Sequence, residues 1–221
     1  MPRVNADKRL LLFILVLLLL LAVVHVGVIS ITFGKLGLTR ESAFFLLFCS
    51  LFGSLVNLPL FTIKSEIPVK VRDVPVPNML RPYLKYMSGR TLVAVNVGGC
   101  LIPAGFSIYL FLTQPLTIYE VLLGISLVAL ASYLYSFPVR GIGIGMPMFV
   151  APVLAAIVAI IINNELSAPL AYISGTMGVL IGADLLNFRH IPRMGAMIAS
   201  IGGAGTFDGI FMTGILAVLL A

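Results

Sequence analysis

Two carboxylates lie inside apolar runs near the end of the chain, Asp184 in GVLIGADLLNF and Asp208 in SIGGAGTFDGIFMTGIL. An ionisable side chain in hydrocarbon costs about 2.5–3.5 kcal/mol on insertion scales, so such residues usually mark a functional site. Two carboxyl groups held close together cannot both ionise, so one keeps a proton while the other acts as a base. Such a pair can activate water for attack on an amide carbonyl and protonate the leaving nitrogen. The sequence therefore predicts Asp184 and Asp208 as a catalytic pair that needs neither metal nor cofactor.

The composition is that of an integral membrane protein. The chain has 221 residues, of which 60% are hydrophobic and 10% charged, and its mean hydropathy is +1.15. A soluble domain of this size has too much surface to hide that proportion of apolar residues. The net charge of +6 comes from short segments between apolar runs, where it suits anionic lipid headgroups better than nucleic acid. We therefore expect a multi-pass protein of the cell membrane whose partner is the lipid bilayer, with no nucleic acid bound.

Seven apolar runs approach the roughly 20 residues that a helix needs to cross a bilayer. They are Leu10–Thr32, Ser42–Ile63, Thr91–Leu112, Ile118–Phe137, Met146–Ile162, Leu166–Phe188 and Met194–Ala221. The predicted fold class is all-α, a polytopic membrane bundle of about seven transmembrane helices that forms one domain over residues 1–221. In the third run, Asn96, Gly98 and Gly99 indicate close packing against another helix.

The distribution of basic residues predicts the orientation. With a cytoplasmic N-terminus and seven spans, twelve basic residues lie in inside segments and only Lys35 and Arg40 lie outside. This asymmetry places the C-terminus outside. The longest inside connection, Lys64–Arg90, is rich in basic residues and proline. It is predicted to be a cytoplasmic loop, either a linker on anionic lipid or a segment that docks substrate.

The same topology brings the two aspartates together. They lie on consecutive antiparallel spans near the cytoplasmic side, at depths that differ by about 7 Å at 1.5 Å per residue, which modest tilt can close. Glycines around the second acid would let an extended substrate backbone approach the helix. The predicted substrate-binding residues are Gly203, Gly205, Gly209 and Phe211.

At these residues the chain resembles the GxGD intramembrane aspartyl proteases, which include presenilin, signal peptide peptidase and the prepilin peptidases. Asp184 matches the first catalytic aspartate, and Gly203, Gly205 and Asp208 match the GxGD element. Here Thr206 and Phe207 stand between the second glycine and the acid, so the motif is GxGxxD. The resemblance implies an aspartic endopeptidase whose substrate is a transmembrane peptide or protein. The stretch GGAGTFDGIF also resembles a family of small prokaryotic, largely archaeal, membrane proteins of unknown function.

Two other functions remain open for the same acids. Membrane-embedded carboxylates often carry protons or cations, which would make the chain a proton- or cation-coupled transporter or channel for small molecules. A purely structural role would have the acids hydrogen-bonded to Asn96, Thr213 or the backbone. The sequence leaves the oligomeric state undetermined.

Overall fold

The structure is a computed structural model, and it describes residue 27 and residues 32–67, 89–141, 143–203 and 209–221. The side chains of residues 209, 211 and 212 are not part of that description. Most of the predicted first span, Leu10–Thr32, lies outside the described residues.

Six α-helices follow residue 39 in the part of the chain that the structure describes. They are α1 Arg40–Gly53, α2 Ile102–Thr113, α3 Ile118–Tyr135, α4 Val150–Ile162, α5 Ser167–Val179 and α6 Gly209–Leu220. Two π-helical turns adjoin them: π1, Val97–Leu101, leads into α2, and π2, Leu180–Leu185, continues α5. A 3₁₀ helix, Phe188–Arg193, follows π2.

Within the described ranges, five short strands form two sheets. They are β1 Asn57–Lys64, β2 Arg90–Asn96, β3 Phe137–Val139, β4 Gly143–Gly145 and β5 Ile198–Ile201. In the first sheet β2 is central, antiparallel to β1 and parallel to β5, and in the second β3 pairs with β4. Lys64 pairs with Arg90, so the basic, proline-rich connection begins and ends at adjacent positions of one ladder.

The prediction of an all-α bundle of about seven helices is wrong. The second apolar run leaves the helix after Gly53 and becomes β1, the third begins as β2, and the seventh contains β5. An apolar run satisfies the requirement for burial in either conformation, so hydropathy does not separate helix from strand. The segment RTLVAVN, with Thr91, Val93 and Val95 at alternate positions, carries β-branched residues that favour a pleated surface.

Among the described residues, two helices are long and apolar enough to cross a membrane: Ile118–Tyr135 and Ser167–Leu185. This criterion uses only length and composition, and the core helix of a soluble protein also meets it. Only 28% of the first helix is buried inside the molecule, whereas 72% of the second is. The two helices are therefore weak evidence for membrane association, and they do not establish the seven predicted spans.

Helix α5 is the centre of the helical layer, and α2, α3, α4 and α6 all pack against it. Small residues on α5 make this packing close. A methyl group added at Gly178 would lie 2.7 Å from the Cβ of Val128 on α3. One added at Gly175 would lie 3.3 Å from Ala155 on α4 and 3.6 Å from Ala217 on α6. The glycines therefore let the backbone of α5 come close to the side chains of the neighbouring helices.

The predicted close packing around Asn96 is confirmed, although it occurs at a strand–helix junction. A methyl group at Gly98 would overlap the carbonyl oxygen of Ser50 and the nitrogen of Ser54 at the end of α1. The buried Asn96 amide donates to the Ser54 carbonyl at 2.7 Å and accepts from the Gly99 N–H at 2.7 Å. These bonds cap π1 and fix the direction in which the chain leaves β2.

Candidate functional site around Asp184

Asp184 lies on π2, where the central helix α5 widens before it ends. The widened geometry is visible in the hydrogen bond from the Leu186 N–H to the Ile181 carbonyl oxygen, five residues earlier, at 2.9 Å. The Asn187 side chain donates to the Gly182 carbonyl at 3.1 Å, which satisfies a second acceptor near the helix end. Single π-helical turns are rare and occur frequently at functional sites. This one places a half-buried carboxylate beside the first sheet.

The carboxylate is held by a backbone group from the far side of the site. Its Oδ2 accepts a hydrogen bond from the Gly202 N–H at 2.8 Å. Gly202 follows directly after β5 and has a φ of +82°, a conformation that residues with a side chain rarely adopt. A methyl group there would also lie 2.7 Å from the Cβ of Cys100. Position 202 therefore requires glycine, and glycine allows this N–H to reach Asp184.

Gly202 also connects the two helix breaks. A methyl group added at Gly99, in π1, would overlap the Gly202 carbonyl oxygen, so these backbones are in direct contact. The N–H of the same residue reaches Asp184 in π2. A single glycine thus contacts both π-helical turns, and the carboxylate lies where the two breaks and the end of β5 meet.

The start of α6 belongs to the same buried cluster as residues just before Asp184. Ile210 is 2% exposed and belongs to one buried cluster with Val179, Leu180 and Ala183. In the sequence, Ala183 immediately precedes Asp184, and Ile210 follows Asp208 by two residues. Residues close in sequence to the two predicted catalytic residues therefore share one buried cluster.

The other predicted site residues are only partly covered by the structure. Asp208 and Gly205 lie outside the described residues, so their pairing with Asp184 stays a prediction. Gly203 follows Gly202 with a φ of +88°. Gly209 is the first residue of α6, and Phe211 lies in the same helix, with a side chain outside the description.

Sequence reasoning did not single out Gly202 as the residue that binds Asp184. The run Gly202-Gly203-Ala204-Gly205 signalled a break in the helix, but three similar glycines offered no way to choose the donor. The choice depends on the pairing of β5 with β2, a contact between distant parts of the chain.

Strand β5 lies at one edge of its sheet within the described residues, because the strand order is β1-β2-β5. Its Ser200 hydroxyl donates to the Asn57 side-chain oxygen at 2.5 Å, which links it across the sheet to β1. Ile198 is 46% exposed. The other edge of β5 faces away from β2. The strand ends next to Gly202, whose N–H donates to Asp184.

The hydrogen bonds of Asp184 and Asn96 bear on the structural alternative, which stays a prediction. The Gly202 N–H that reaches Asp184 is a backbone donor, as that alternative expects. The two N–H groups of the Asn96 amide are donated to Ser54 and Asn57, so Asn96 does not serve as a donor to the acid. Across the part of the chain that the structure covers, no three His, Cys, Asp or Glu side chains are grouped so that they could hold a metal ion.

A protein-family profile matches residues 51–220, from within α1 to the end of α6. The chain belongs to the family described as "Protein of unknown function (DUF1614)". This confirms the resemblance to a family of unknown function, and the matched region of DUF1614 includes all five strands, Asp184 and Asp208. Neither the curated proteins nor the solved structures with which the chain was compared contain a significant match.

Proposed function

We propose that this DUF1614 protein is a multi-pass membrane protein that hydrolyses peptide bonds of membrane-embedded polypeptides with Asp184 and Asp208. The observation that carries the proposal is the hydrogen bond from the Gly202 N–H to the Asp184 carboxylate. This hydrogen bond holds Asp184 beside Gly202, and Asp208 follows Gly202 by six residues in the sequence. The GxGxxD resemblance supports the same pair of residues.

The packing around the site favours a short distance between the acids. The cluster that joins Ile210 to Leu180 and Ala183 holds the beginning of α6 against the end of α5. In the proposed reaction, the ionised member of the pair removes a proton from water as it attacks the peptide carbonyl. The protonated member then donates to the leaving nitrogen. The Gly202 N–H keeps the Asp184 carboxylate in one orientation throughout.

The edge of β5 supports an extended substrate. A peptide bond within a transmembrane helix is shielded by its own hydrogen bonds, so the helix must unwind before water can attack. An unwound segment could pair with the outer edge of β5, since addition of a strand to a sheet edge satisfies exposed backbone groups. The end of β5 at Ile201 would then deliver the peptide to the acids.

The exposed surface of α3 supports insertion into a bilayer. Ile118, Leu122, Leu130 and Leu134 are all more than half exposed along this one helix. Contiguous apolar surface of this kind is unusual on a soluble monomer and marks a surface that contacts lipid or another protein. We propose hydrocarbon as its environment.

The test is cleavage by the full-length protein reconstituted in lipid vesicles with a mixture of peptides of about 20 apolar residues each. Products are detected by mass spectrometry. Asp184→Asn and Asp208→Asn should each lower the rate by about 10²–10⁴-fold, the usual contribution of a general acid or base. A photoreactive peptide with a hydroxyethylene group in place of the scissile amide should label the unaltered protein, because it mimics the tetrahedral intermediate.

Glu165→Gln is the matched control, since Glu165 is an exposed carboxylate away from the site, next to the start of α5. It should cleave at the unaltered rate. Equal cleavage by either aspartate variant and the unaltered protein would refute the proposed mechanism. Loss of thermal stability in an inactive variant would show that the acid is required for folding, so each variant's unfolding temperature is measured as well.

A second candidate function is proton- or cation-coupled transport, and one observation favours it. Both π-helical turns, Val97–Leu101 and Leu180–Leu185, meet at Gly202, and transporters often bind their substrates where discontinuous helices meet. This function predicts solute uptake into vesicles driven by a proton or cation gradient. Uptake that Asp184→Asn abolishes, without any peptide cleavage, would favour transport over proteolysis.

A further inference from the structure

The 3₁₀ helix Phe188–Arg193 and the residues after it are the point at which four separate parts of the chain meet. The N–H of Glu66, just past β1, donates to the Pro192 carbonyl at 2.8 Å. Thr91, at the start of β2, donates its hydroxyl to the Ala196 carbonyl at 2.8 Å. From the β3–β4 turn, the Gly141 N–H reaches the Met194 carbonyl at 2.8 Å. These bonds gather the polar ends of several elements at one end of the molecule.

Five exposed basic side chains are brought together there, and we call them the basic end: Lys64, Arg90, Arg140, Arg189 and Arg193. Lys64 and Arg90 are paired across β1 and β2. Arg189 donates to the Tyr133 hydroxyl at 2.7 Å. Glu66 is the acidic residue beside them and pairs with Arg193 at 3.1 Å. Among the residues that the structure describes here, five cations lie beside one carboxylate, so their sum is positive.

Large apolar side chains are exposed next to these charges. The rings of Phe61 and Phe188 pack with their centres 6.0 Å apart. Phe61, Tyr135, Phe137, Leu185 and Leu186 are each about half exposed. Basic and aromatic residues beside an apolar surface are the combination found at the level of lipid headgroups.

The opposite end of the helical layer has a different charge. Its described charged residues are Lys35, Arg40, Glu41, Glu120 and Glu165. Lys35 lies against the end of α6, where its ammonium donates to the Val218 carbonyl oxygen at 3.3 Å. Glu120 is joined to Asn163, at the end of α4, by a hydrogen bond of 2.8 Å. Acidic residues outnumber basic ones here, so the two ends differ in the sign of their charge.

We propose that the basic end binds the headgroups of anionic phospholipids. Its five cations come from four short segments and are spread over an exposed surface, which matches a layer of phosphates better than one enclosed anion. The apolar side chains beside them lie where the acyl chains of the same lipids would begin. The attraction of a basic residue to an anionic surface is worth about a fivefold change in binding.

The experiment measures lipid bound to the purified full-length protein by native mass spectrometry in a neutral detergent. The added lipids are phosphatidylglycerol and, separately, phosphatidylcholine with the same acyl chains. The unaltered protein should retain phosphatidylglycerol in preference. Arg140→Gln combined with Arg189→Gln should weaken that retention about 25-fold, from two residues at about fivefold each. Lys35→Gln combined with Arg40→Gln, at the opposite end, is the matched control and should retain it normally.

Three results would overturn the proposal. The first is equal retention of the two lipids by the unaltered protein. The second is an equal loss in the basic-end variant and the control variant, which would assign the effect to net charge. The third is displacement of the lipid by millimolar glycerol phosphate, which would assign the surface to a soluble phosphate. Circular dichroism of each variant in detergent excludes loss of fold as the cause.

Discussion

Replacement of Gly202 by alanine tests the geometry of the site directly. The added methyl group would lie 2.7 Å from the Cβ of Cys100, 2.7 Å from the Cys100 nitrogen and 2.7 Å from the Gly99 carbonyl carbon. Real Cβ contacts do not occur at such distances, so the backbone around residue 202 must move. That movement would also pull the N–H away from the Asp184 carboxylate.

The expected magnitude has two parts. A left-handed backbone conformation costs a residue with a Cβ about 1–2 kcal/mol relative to glycine. An extra methyl group in a closely packed position costs about 1–3 kcal/mol. Gly202→Ala should therefore lower the free energy of unfolding by about 2–5 kcal/mol.

Gly141→Ala separates these two contributions. Gly141 has a similar φ of +77°, but a methyl group there meets no atom within 4 Å. This variant should lose only the conformational part, about 1–2 kcal/mol. Unfolding of both variants is followed in mixed micelles by far-ultraviolet circular dichroism. If Gly202→Ala loses no more stability than Gly141→Ala, the close contact between β5 and π1 is wrong, and with it the described support for Asp184.

Two further substitutions test the strand–helix junction, with the same unfolding assay. Gly98→Ala should destabilise the folded protein by about 1–3 kcal/mol because its methyl group overlaps the end of α1. Gly105 lies in open space on α2, so Gly105→Ala should instead stabilise the folded protein by about 0.5–1 kcal/mol. Equal effects of the two glycine variants would contradict the packing of π1. Asn96→Ala should cost about 2–4 kcal/mol, since it leaves one buried backbone N–H and one backbone carbonyl without their side-chain partner. The exposed Asn164→Ala is its control, and a similar small loss in both would show that Asn96 does not cap π1.

The helices were predictable where local sequence alone determines them. Helix α3, Ile118–Tyr135, matches the predicted run Ile118–Phe137 almost to the residue. It has a continuous apolar sequence and a capping box in which Thr117 and Glu120 bond each other's backbone. Both signals are contained in one short window, so no distant contact was needed to recognise them.

The strands were not predictable because their partners are far away in the sequence. Asn57–Lys64 and Arg90–Asn96 are as apolar as many helices, and each becomes a strand by pairing with the other. Pro59 within β1 lies at an irregularity of the ladder, where the lack of an N–H is tolerated. Windows of about 20 residues contain no information on such pairs.

The sequence drew attention to Asp184 but not to the residue that supports it. The position of Asp184 in an apolar helix made it conspicuous, and the structure places it where α5 ends. Its partner Gly202 became recognisable only through the sheet, and the role of Asp208 stays a prediction.

The pairing of β2 with β5 also determines when the first sheet can finish folding during synthesis. The hydrogen bond that begins this contact joins Thr91 to Ala196, which are 105 residues apart. At a translation rate of about 5–20 residues per second, the central strand waits roughly 5–20 s for its second neighbour after leaving the ribosome. During that interval one edge of β2 lacks its native partner, while α2 to α5 are still being made. The backbone support of Asp184 is therefore assembled only when the last quarter of the chain arrives, so an incomplete chain does not contain a finished site.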